Sequence, residues 1–279
     1  MKTNLKIIAH ALVKNESRWI WYSLMSVLDV VDEIMVWDTG STDNTVEIIK
    51  SIKNPKIKFK QVELGNDPLA HTQLRQRMLE ETTGDWLMIL DGDEVWWQQN
   101  LIEVKSEITK NPAKLAIVSP VLNCVGDIFH FQNPKYSKYE ILGYKGAFNI
   151  RFINLKISGL HISKPHGGQE YRDSTETAIQ NFPPEKLLYV DQPYIHTTHL
   201  PRSSNLKIDK TTLKRNFKYR YELGNSIEED FTYPEVFYLP KQINVNTPFF
   251  HRSCSYVFRA LAIEPVRLIK NMFYSRSGY

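Results

Sequence analysis

The sequence has 279 residues, of which 42% are hydrophobic and 24% charged, the composition of a globular domain with a substantial core. Its two cysteines, Cys124 and Cys254, exclude a disulfide framework and predict a reducing, cytoplasmic compartment. No segment reaches about 18 uncharged apolar residues, and the N-terminal apolar run is too short for a signal peptide, so an integral membrane protein is not expected.

The net charge of +4 is unevenly distributed along the chain. Residues 202–224 carry seven Lys or Arg side chains against two acids, and residues 252–279 carry five against one, so the rest of the chain is acidic. This asymmetry predicts that only the C-terminal part faces an anionic partner. No recognised nucleic-acid-binding motif accompanies the basic residues, so nucleic acid is not the expected partner.

Apolar runs of strand length alternate with stretches of helical period in the first part of the chain. The predicted strands are residues 5–13, 33–37, 57–62, 86–90 and 115–121. Strand and helix in alternation indicate right-handed crossovers and a parallel sheet, so this part is expected to form a Rossmann-like half.

Beyond residue 121 the pattern is looser. Residues 147–155 and a short segment within 187–203 that ends in two histidines have strand character, whereas 126–146 and 161–173 are predicted as loops. A basic amphipathic helix is predicted near residues 205–224.

Acidic side chains follow three predicted strands. The segments are "KNE" (14–16), "DTGSTD" (38–43) and "DGDE" (91–94). Ligands bind at the carboxyl ends of strands in such sheets, so these groups are expected to share one crevice. Carboxylates gathered there repel one another unless a cation or hydrogen-bond donors offset them, which favours a divalent metal.

Two long segments, "LVKNESRWIWYSLMSVLDVVDEIMVWDTGSTDNTVEII" and "LRQRMLEETTGDWLMILDGDE", together with the later histidines, resemble glycosyltransferase family 2 over about residues 5–200. The resemblance implies an α/β fold of the GT-A type, with a Rossmann-like, mostly parallel central sheet flanked by helices. It places a catalytic domain at 1–203, divided into a nucleotide-sugar-binding half (1–121) and an acceptor half (122–203). Residues 204–279 are expected to form a basic, helical C-terminal extension.

The implied activity is transfer of a sugar from a nucleotide diphosphate sugar, expected to be a UDP-sugar, to a hydroxyl of a glycan or glycolipid acceptor with inversion. In this resemblance Glu16 and Asp38 contact the nucleoside of the donor, Asp91 binds the ribose, and Arg75 pairs with the diphosphate. Lys14 is a further donor-binding residue.

Two of these positions have structural alternatives. Asp38 could cap a turn with Gly40, and Arg75 could be a solvated helix residue. Asp43 is expected to cap the following helix.

The implied metal is Mn²⁺ or Mg²⁺, since carboxylates and diphosphate oxygens are hard ligands. Asp93 is the expected carboxylate ligand, and a late histidine completes the coordination. His199 is favoured because of its "HLPR" context, with His196 as the alternative. Glu94 is expected either to support the metal ligands from behind or to face the acceptor.

The implied catalytic base is an acid in the segment 161–173. Glu170 is the expected residue, with His166 and Asp173 as alternatives. Gln169 stands where relatives have a clear acidic or histidine pair, so this segment departs from the pattern of the family.

Residues 253–273 show a helical stripe of apolar residues beside a stripe of basic ones, and Pro265 is expected to kink or break the helix. One interpretation is an interfacial helix that places residues 252–276 on an anionic membrane surface, near lipid-linked acceptors on its inner face. The other is a helix that packs on the core or on a dimer partner.

Two other functions compete with sugar transfer. A nucleotidyltransferase would carry a glycine-rich phosphate loop after the first strand, and "VKNES" is not one. A non-catalytic sugar-nucleotide-binding relative would be expected to have lost part of the D-x-D pair, which is intact at Asp91 and Asp93.

Overall fold

The computed structural model describes residues 5–133, 137, 139–205 and 221–273, with side chains as far as residue 266. The basic helix predicted near 205–224 falls almost entirely outside the described residues.

The first part of the chain alternates strands and helices, as predicted. In chain order the elements are β1 (Ile7–Val13), α1 (Ile20–Val27), β2 (Glu33–Asp38), α2 (Thr45–Ser51), β3 (Ile57–Gln61), α3 (Ala70–Glu80) and β4 (Trp86–Ile89). The four strands are parallel, in the order β3-β2-β1-β4. Because β1 and β4 lie in the middle and are covered on both faces, their sequences are continuous apolar runs. The predicted α/β fold with a Rossmann-like half is confirmed.

The middle of the chain continues the sheet with mixed strand directions. Its elements are β5 (Glu94–Trp96), α4 (Gln98–Lys110), β6 (Ala116–Val125), β7 (Asp127–Phe131), β8 (Tyr139–Ile141), β9 (Tyr144–Gly146) and β10 (Phe148–Asn154). The strands β8 and β9 form a separate two-stranded sheet. Strand β10 lies between β4 and β6 and is antiparallel to both. This places the predicted strand at 147–155 in the centre of the sheet.

The remaining strands are short. They are β11 (His161–Ser163), β12 (Glu170–Arg172), β13 (Leu187–Tyr189), β14 (Tyr194–His196) and β15 (Asn225–Ser226). Strand β14 pairs in parallel with β6 and antiparallel with β5, so that Glu94 lies opposite His196.

The two segments predicted as loops contain strands. Residues 126–146 include β7 and the hairpin β8–β9, and residues 161–173 form the hairpin β11–β12. Each strand of that second hairpin has one buried apolar residue, Ile162 or Tyr171, between polar neighbours. Three residues are too few for a recognisable alternation, which is why the sequence indicated a loop.

The described part of the C-terminal region packs on the central sheet. Tyr233, Val236, Phe237 and Val245 belong to the main core, and the hydroxyl of Tyr22 donates to the Asn246 carbonyl at 2.6 Å. Helix α5 (Cys254–Phe273) follows and continues through Pro265, so the helix is not broken there and the expected kink stays a prediction. The division of the chain at residue 203 stays a prediction. None of the described helices is both long enough and apolar enough to cross a bilayer.

A histidine buried in β1 predicts a pH dependence of stability. His10 is 1% exposed, its Nε2 lies 2.5 Å from Thr82 Oγ1, and burial, together with the nearby Arg75 charge, lowers its pKa to about 3. The unfolded chain takes up this proton near pH 6.5 and the folded protein does not, so stability present above pH 6.5 is lost as the pH falls toward 3.

We therefore expect His10→Gln to flatten the decline in unfolding free energy between pH 6.5 and 3 by up to about 1.4 kcal/mol per pH unit. Urea denaturation of both proteins at several pH values measures this. Parallel stability curves for the two proteins would contradict it.

Candidate active site

The acidic segments meet at the carboxyl edge of the parallel strands, as predicted. In the ladder between β1 and β2, Val13 lies opposite Asp38. The loop after β1, with Lys14 and Glu16, therefore lies next to the start of the "DTGSTD" loop. The "DGDE" segment follows β4, the neighbour of β1 on its other side. Three loops distant in sequence therefore form one crevice.

Asp91 is held between two arginines. Arg75 Nη2 on α3 lies 3.2 Å from Asp91 Oδ1, and Arg151 Nη2 on β10 lies 3.3 Å from Asp91 Oδ2. Burial alone would raise the pKa of Asp91, but the Arg151 and Arg75 charges outweigh it and lower this pKa to about 2. Asp91 is therefore a carboxylate at any physiological pH.

Glu94 shares Arg151 with Asp91. It is fully buried, and its Oε1 pairs with Arg151 Nη2. Burial raises the pKa of Glu94 to about 7. The Arg151 charge acts in the opposite direction, whereas repulsion from Asp91 and Asp93 raises this pKa further. Arg151 is itself oriented by the Tyr194 hydroxyl, 3.0 Å from its Nε.

A third arginine neutralises the other two carboxylates. Arg202 Nη1 lies 2.7 Å from Glu16 Oε1, and Arg202 Nε lies 2.8 Å from Asp93 Oδ2. The second Asp93 oxygen lies 3.3 Å from His196 Nε2. Asp93 is thus fully buried between an arginine and a histidine.

Asp91, Glu94 and His196 form the metal-type group found among the described residues, with one ligand atom from each lying within 4.8 Å of the others. The pairing of β5 with β14 creates it by placing Glu94 opposite His196. Two carboxylates and an imidazole suit Mn²⁺ or Mg²⁺ in donor type, and the shared Arg151 offsets part of the negative charge.

This grouping differs from the predicted ligands. Asp93 stands behind His196, in the position of a carboxylate that orients a ligating imidazole, instead of beside Asp91. His199, the favoured histidine, is buried but is not part of the group, whereas the alternative His196 is.

The predicted nucleoside contacts lie at the crevice in different environments. Asp38 is fully buried and its carboxylate accepts bonds from Gly40 N at 3.1 Å and Ser41 N at 3.0 Å, which is the turn-capping alternative. Glu16 is buried and paired with Arg202, and Lys14 is exposed. Donor binding by these residues stays a prediction, and the geometry gives Asp38 a structural task as well.

Asp43 has the structural role expected for it. Its Oδ1 accepts from Thr45 N at 3.0 Å at the start of α2, and its Oδ2 accepts from Ser17 Oγ at 2.7 Å. It therefore joins the loop after β1 to the helix after β2.

The predicted base, Glu170, is paired with two cations. Its Oε1 lies 2.5 Å from Lys164 Nζ and its Oε2 2.6 Å from Arg172 Nη2, and these bonds lower the pKa of Glu170 although the slight burial acts the other way. Side chains alternate along β12, so Glu170 lies on the face opposite the buried Tyr171. This environment does not suit a general base.

The two alternative bases are likewise engaged. Asp173 caps a turn, accepting from Thr175 N at 2.9 Å and Thr177 N at 3.0 Å. The His166 ring is exposed and stacks on His71 at 4.4 Å. The base assignment therefore stays a prediction that the geometry does not support.

Arg151 and Arg202 are the site residues that the sequence did not reveal. Arg151 lies in no motif, and Arg202 belongs to the "HLPR" segment, of which only the histidine is predicted as a site residue. Each reaches the crevice from an element distant along the chain. The unusual acidity of the crevice was the available signal, because buried carboxylates require counter-charges.

Gly92 gives a test of the site's packing. A Cβ at this position would lie 2.9 Å from Glu16 Cγ and 3.2 Å from Val13 Cγ1, while Glu16 is held by Arg202. We expect Gly92→Ala to displace Glu16 and to lower the unfolding free energy by about 1–3 kcal/mol. Chemical denaturation measures this, with Gly65→Ala as the matched control, because the nearest atom there is 3.9 Å away. Equal stability of the two variants would show that the crevice is loosely packed.

Comparison with known proteins identifies the family of the chain. The profile of glycosyl transferase family 2 matches residues 12–162, more than half of the chain. The SPbeta prophage-derived glycosyltransferase SunS of Bacillus subtilis is 34% identical over 114 residues, which cover 41% of this chain and 25% of SunS. A TPR repeat-containing protein of Synechococcus elongatus is 30% identical over 102 residues, 37% of this chain and 24% of that protein. The chain therefore matches about a quarter of the length of these curated relatives.

Solved structures resemble the fold at low sequence identity. TarS of S. aureus in complex with UDP-GlcNAc gives a TM-score of 0.47 at 14% identity, over 69% of this chain and 58% of that one. Glucosyl-3-phosphoglycerate synthase of Mycobacterium tuberculosis, in complex with Mn²⁺, UDP-glucose and phosphoglyceric acid, gives 0.47 at 15% identity, over 70% and 73%. The extent of the profile match decides the assignment: the chain belongs to glycosyl transferase family 2.

Proposed function

We propose that the protein transfers a sugar from a nucleotide diphosphate sugar to a hydroxyl of a glycan or glycolipid acceptor, with a divalent metal at Asp91, Glu94 and His196. The observation that carries the proposal is the convergence of these three side chains at the carboxyl edge of the parallel strands, within the segments that carry the family resemblance.

The donor would lie along the edge formed by the loops after β1, β2 and β4. Lys14 is exposed there and offers a cation to a phosphate, and Arg75 holds Asp91 from the side of α3. Arg75 makes one bond to Asp91, at 3.2 Å, and in this proposal its guanidinium also pairs with a diphosphate oxygen.

Bound Mn²⁺ or Mg²⁺ would act as a Lewis acid for the leaving diphosphate. The chain's own residues prepare for it. Arg151 favours the ionised forms of Asp91 and Glu94, and Asp93 orients the His196 ring through the contact at 3.3 Å. In the proposed reaction the acceptor oxygen forms its bond to the anomeric carbon as the bond to the diphosphate breaks. Its proton passes to a carboxylate base, and the configuration inverts.

The donor and metal sites are tested by thermal shift with UDP, GDP, ADP and CDP, each with and without Mn²⁺. We expect one nucleotide to raise the melting temperature by about 5 °C or more at about 100 times its Kd, and to do so only with Mn²⁺.

His196→Gln should abolish the Mn²⁺-dependent part of this shift. His161→Gln is the matched control, since His161 lies on the hairpin β11–β12 outside the metal group. The metal assignment would be wrong if the melting-temperature shift were undiminished in His196→Gln, or if the nucleotide gave the same shift with and without Mn²⁺.

The displacement is tested by the anomeric configuration of the product. We expect inversion relative to the donor sugar, observed by proton NMR from the coupling constant of the anomeric proton in the glycoside product. Retained configuration would overturn the single-step mechanism.

The kcat of Glu170→Gln tests whether Glu170 is the catalytic base. A general base contributes about 10²- to 10⁴-fold to the rate. Because Glu170 is occupied by Lys164 and Arg172, we expect kcat to fall by much less than this and the stability of the hairpin to suffer instead. A loss of kcat in that range would restore Glu170 as the base.

A further inference from the structure

The outward face of helix α5 is apolar and exposed. Phe258 is 72% exposed, Leu261 51% and Val266 65%. Residues three, four, seven and eight positions after Phe258 fall on the same side of the helix, so the exposed Ala262 and Pro265 also lie on that side. We call this set, Phe258, Leu261, Ala262, Pro265 and Val266, the α5 apolar face.

The opposite face of α5 makes the helix's contacts with the sheet. Ala260 is fully buried, and Val257 and Glu264 are half-buried. The Tyr256 hydroxyl lies 3.2 Å from the backbone of Glu222, and a Cβ on Gly126 would lie 2.7 Å from the Tyr256 ring. The helix is thus fixed on the turn between β6 and β7, with its apolar face directed away from the protein.

The start of the helix is also fixed. Arg252 N donates to Asp127 Oδ2 at 3.0 Å, and Arg252 Nη1 donates to the Leu223 carbonyl at 2.6 Å. Arg252, predicted as part of the basic stripe, is therefore an anchor of α5. Arg259 is exposed beside the apolar face, with one bond to the Tyr221 hydroxyl at 2.9 Å.

The charge around this face indicates what covers it. From residue 252 to the end the sequence has five basic residues against the single acid Glu264, so this segment carries the whole net charge of +4 and residues 1–251 sum to zero. An anionic surface is therefore attracted to this end of the chain more strongly than to the rest. Glu264 lies on the inward side of the helix, away from the apolar face.

We propose that α5 docks in the interface of an anionic lipid bilayer, with the α5 apolar face at the boundary of the acyl chains and Arg259 at the headgroups. An amphipathic helix that is too polar to span a membrane binds in this way when apolar burial and attraction to anionic lipid act together. A second copy of the chain is a poorer occupant, because two copies of the same basic surface repel each other.

Flotation of the full-length protein with vesicles tests the proposal. We expect binding to vesicles of phosphatidylcholine mixed with phosphatidylglycerol, at least about tenfold weaker binding to phosphatidylcholine alone, and further weakening as salt is raised. The assay needs neither donor nor acceptor, so its failure would leave the proposed sugar transfer standing, and its success would not establish that activity.

Two variants distinguish docking through the α5 apolar face from nonspecific binding to vesicles. Phe258→Glu/Leu261→Glu changes exposed side chains, so the fold should persist, and binding to the mixed vesicles should fall at least about tenfold. Ile102→Glu is the matched control, because Ile102 is also exposed, on α4, and binding should not change.

Equal binding to both kinds of vesicle, or unchanged binding of the double variant, would overturn the proposal. Sedimentation equilibrium supplies the remaining arm. If the protein does not bind vesicles but is a dimer, and if the double variant is a monomer, the α5 apolar face belongs to a contact with a second copy. That result would refute membrane docking.

Discussion

Neutralisation of buried carboxylates by arginine is the constraint on which this structure depends. Glu16, Asp93 and Glu94 are buried at one edge of the sheet and Asp91 is half-buried beside them, so their mutual repulsion and desolvation would oppose folding. Three arginines offset these charges, one from α3, one from β10 and one from the segment after β14. The negative charge available to a metal is therefore partly balanced before any ligand arrives.

The arginines also join the two halves of the catalytic sheet. Arg151 comes from an antiparallel strand that separates β4 from β6, and Arg202 comes from a segment whose backbone bonds the loop after β1, at Arg18 N. Neither can reach the crevice until the second half of the sheet has formed. The acidic loops belong to the parallel half, so the site exists only when both halves have folded together.

The sequence predicted the parallel half and the position of the crevice well, because long buried strands such as β1 and acidic strand ends are strong local patterns. It also anticipated that Asp43 caps α2. The errors lie where a decision depends on pairing at long range. His196 and Glu94 are brought together by the β5–β14 ladder, and that ladder has only three residues on each side. Likewise, "HISKPHGGQEYRD" was predicted as a loop because strands of three residues carry no readable period, and its pairing occupies Glu170 with Lys164 and Arg172.

The short ladder between β5 and β14 has a consequence for how accurately the chain must fold. Successive side chains of a strand point to opposite faces, so a slip of one residue would turn His196 away from Glu94 and present Ile195 or Thr197 in its place. Three residue pairs are few to hold a register, and Thr197 adds two bonds to the Asp93 carbonyl, at 2.9 and 3.1 Å, just beyond the ladder. The candidate ligand set is thus a property of one strand register, and a slip there would lose His196 as a ligand together with the core positions of Tyr194 and Ile195.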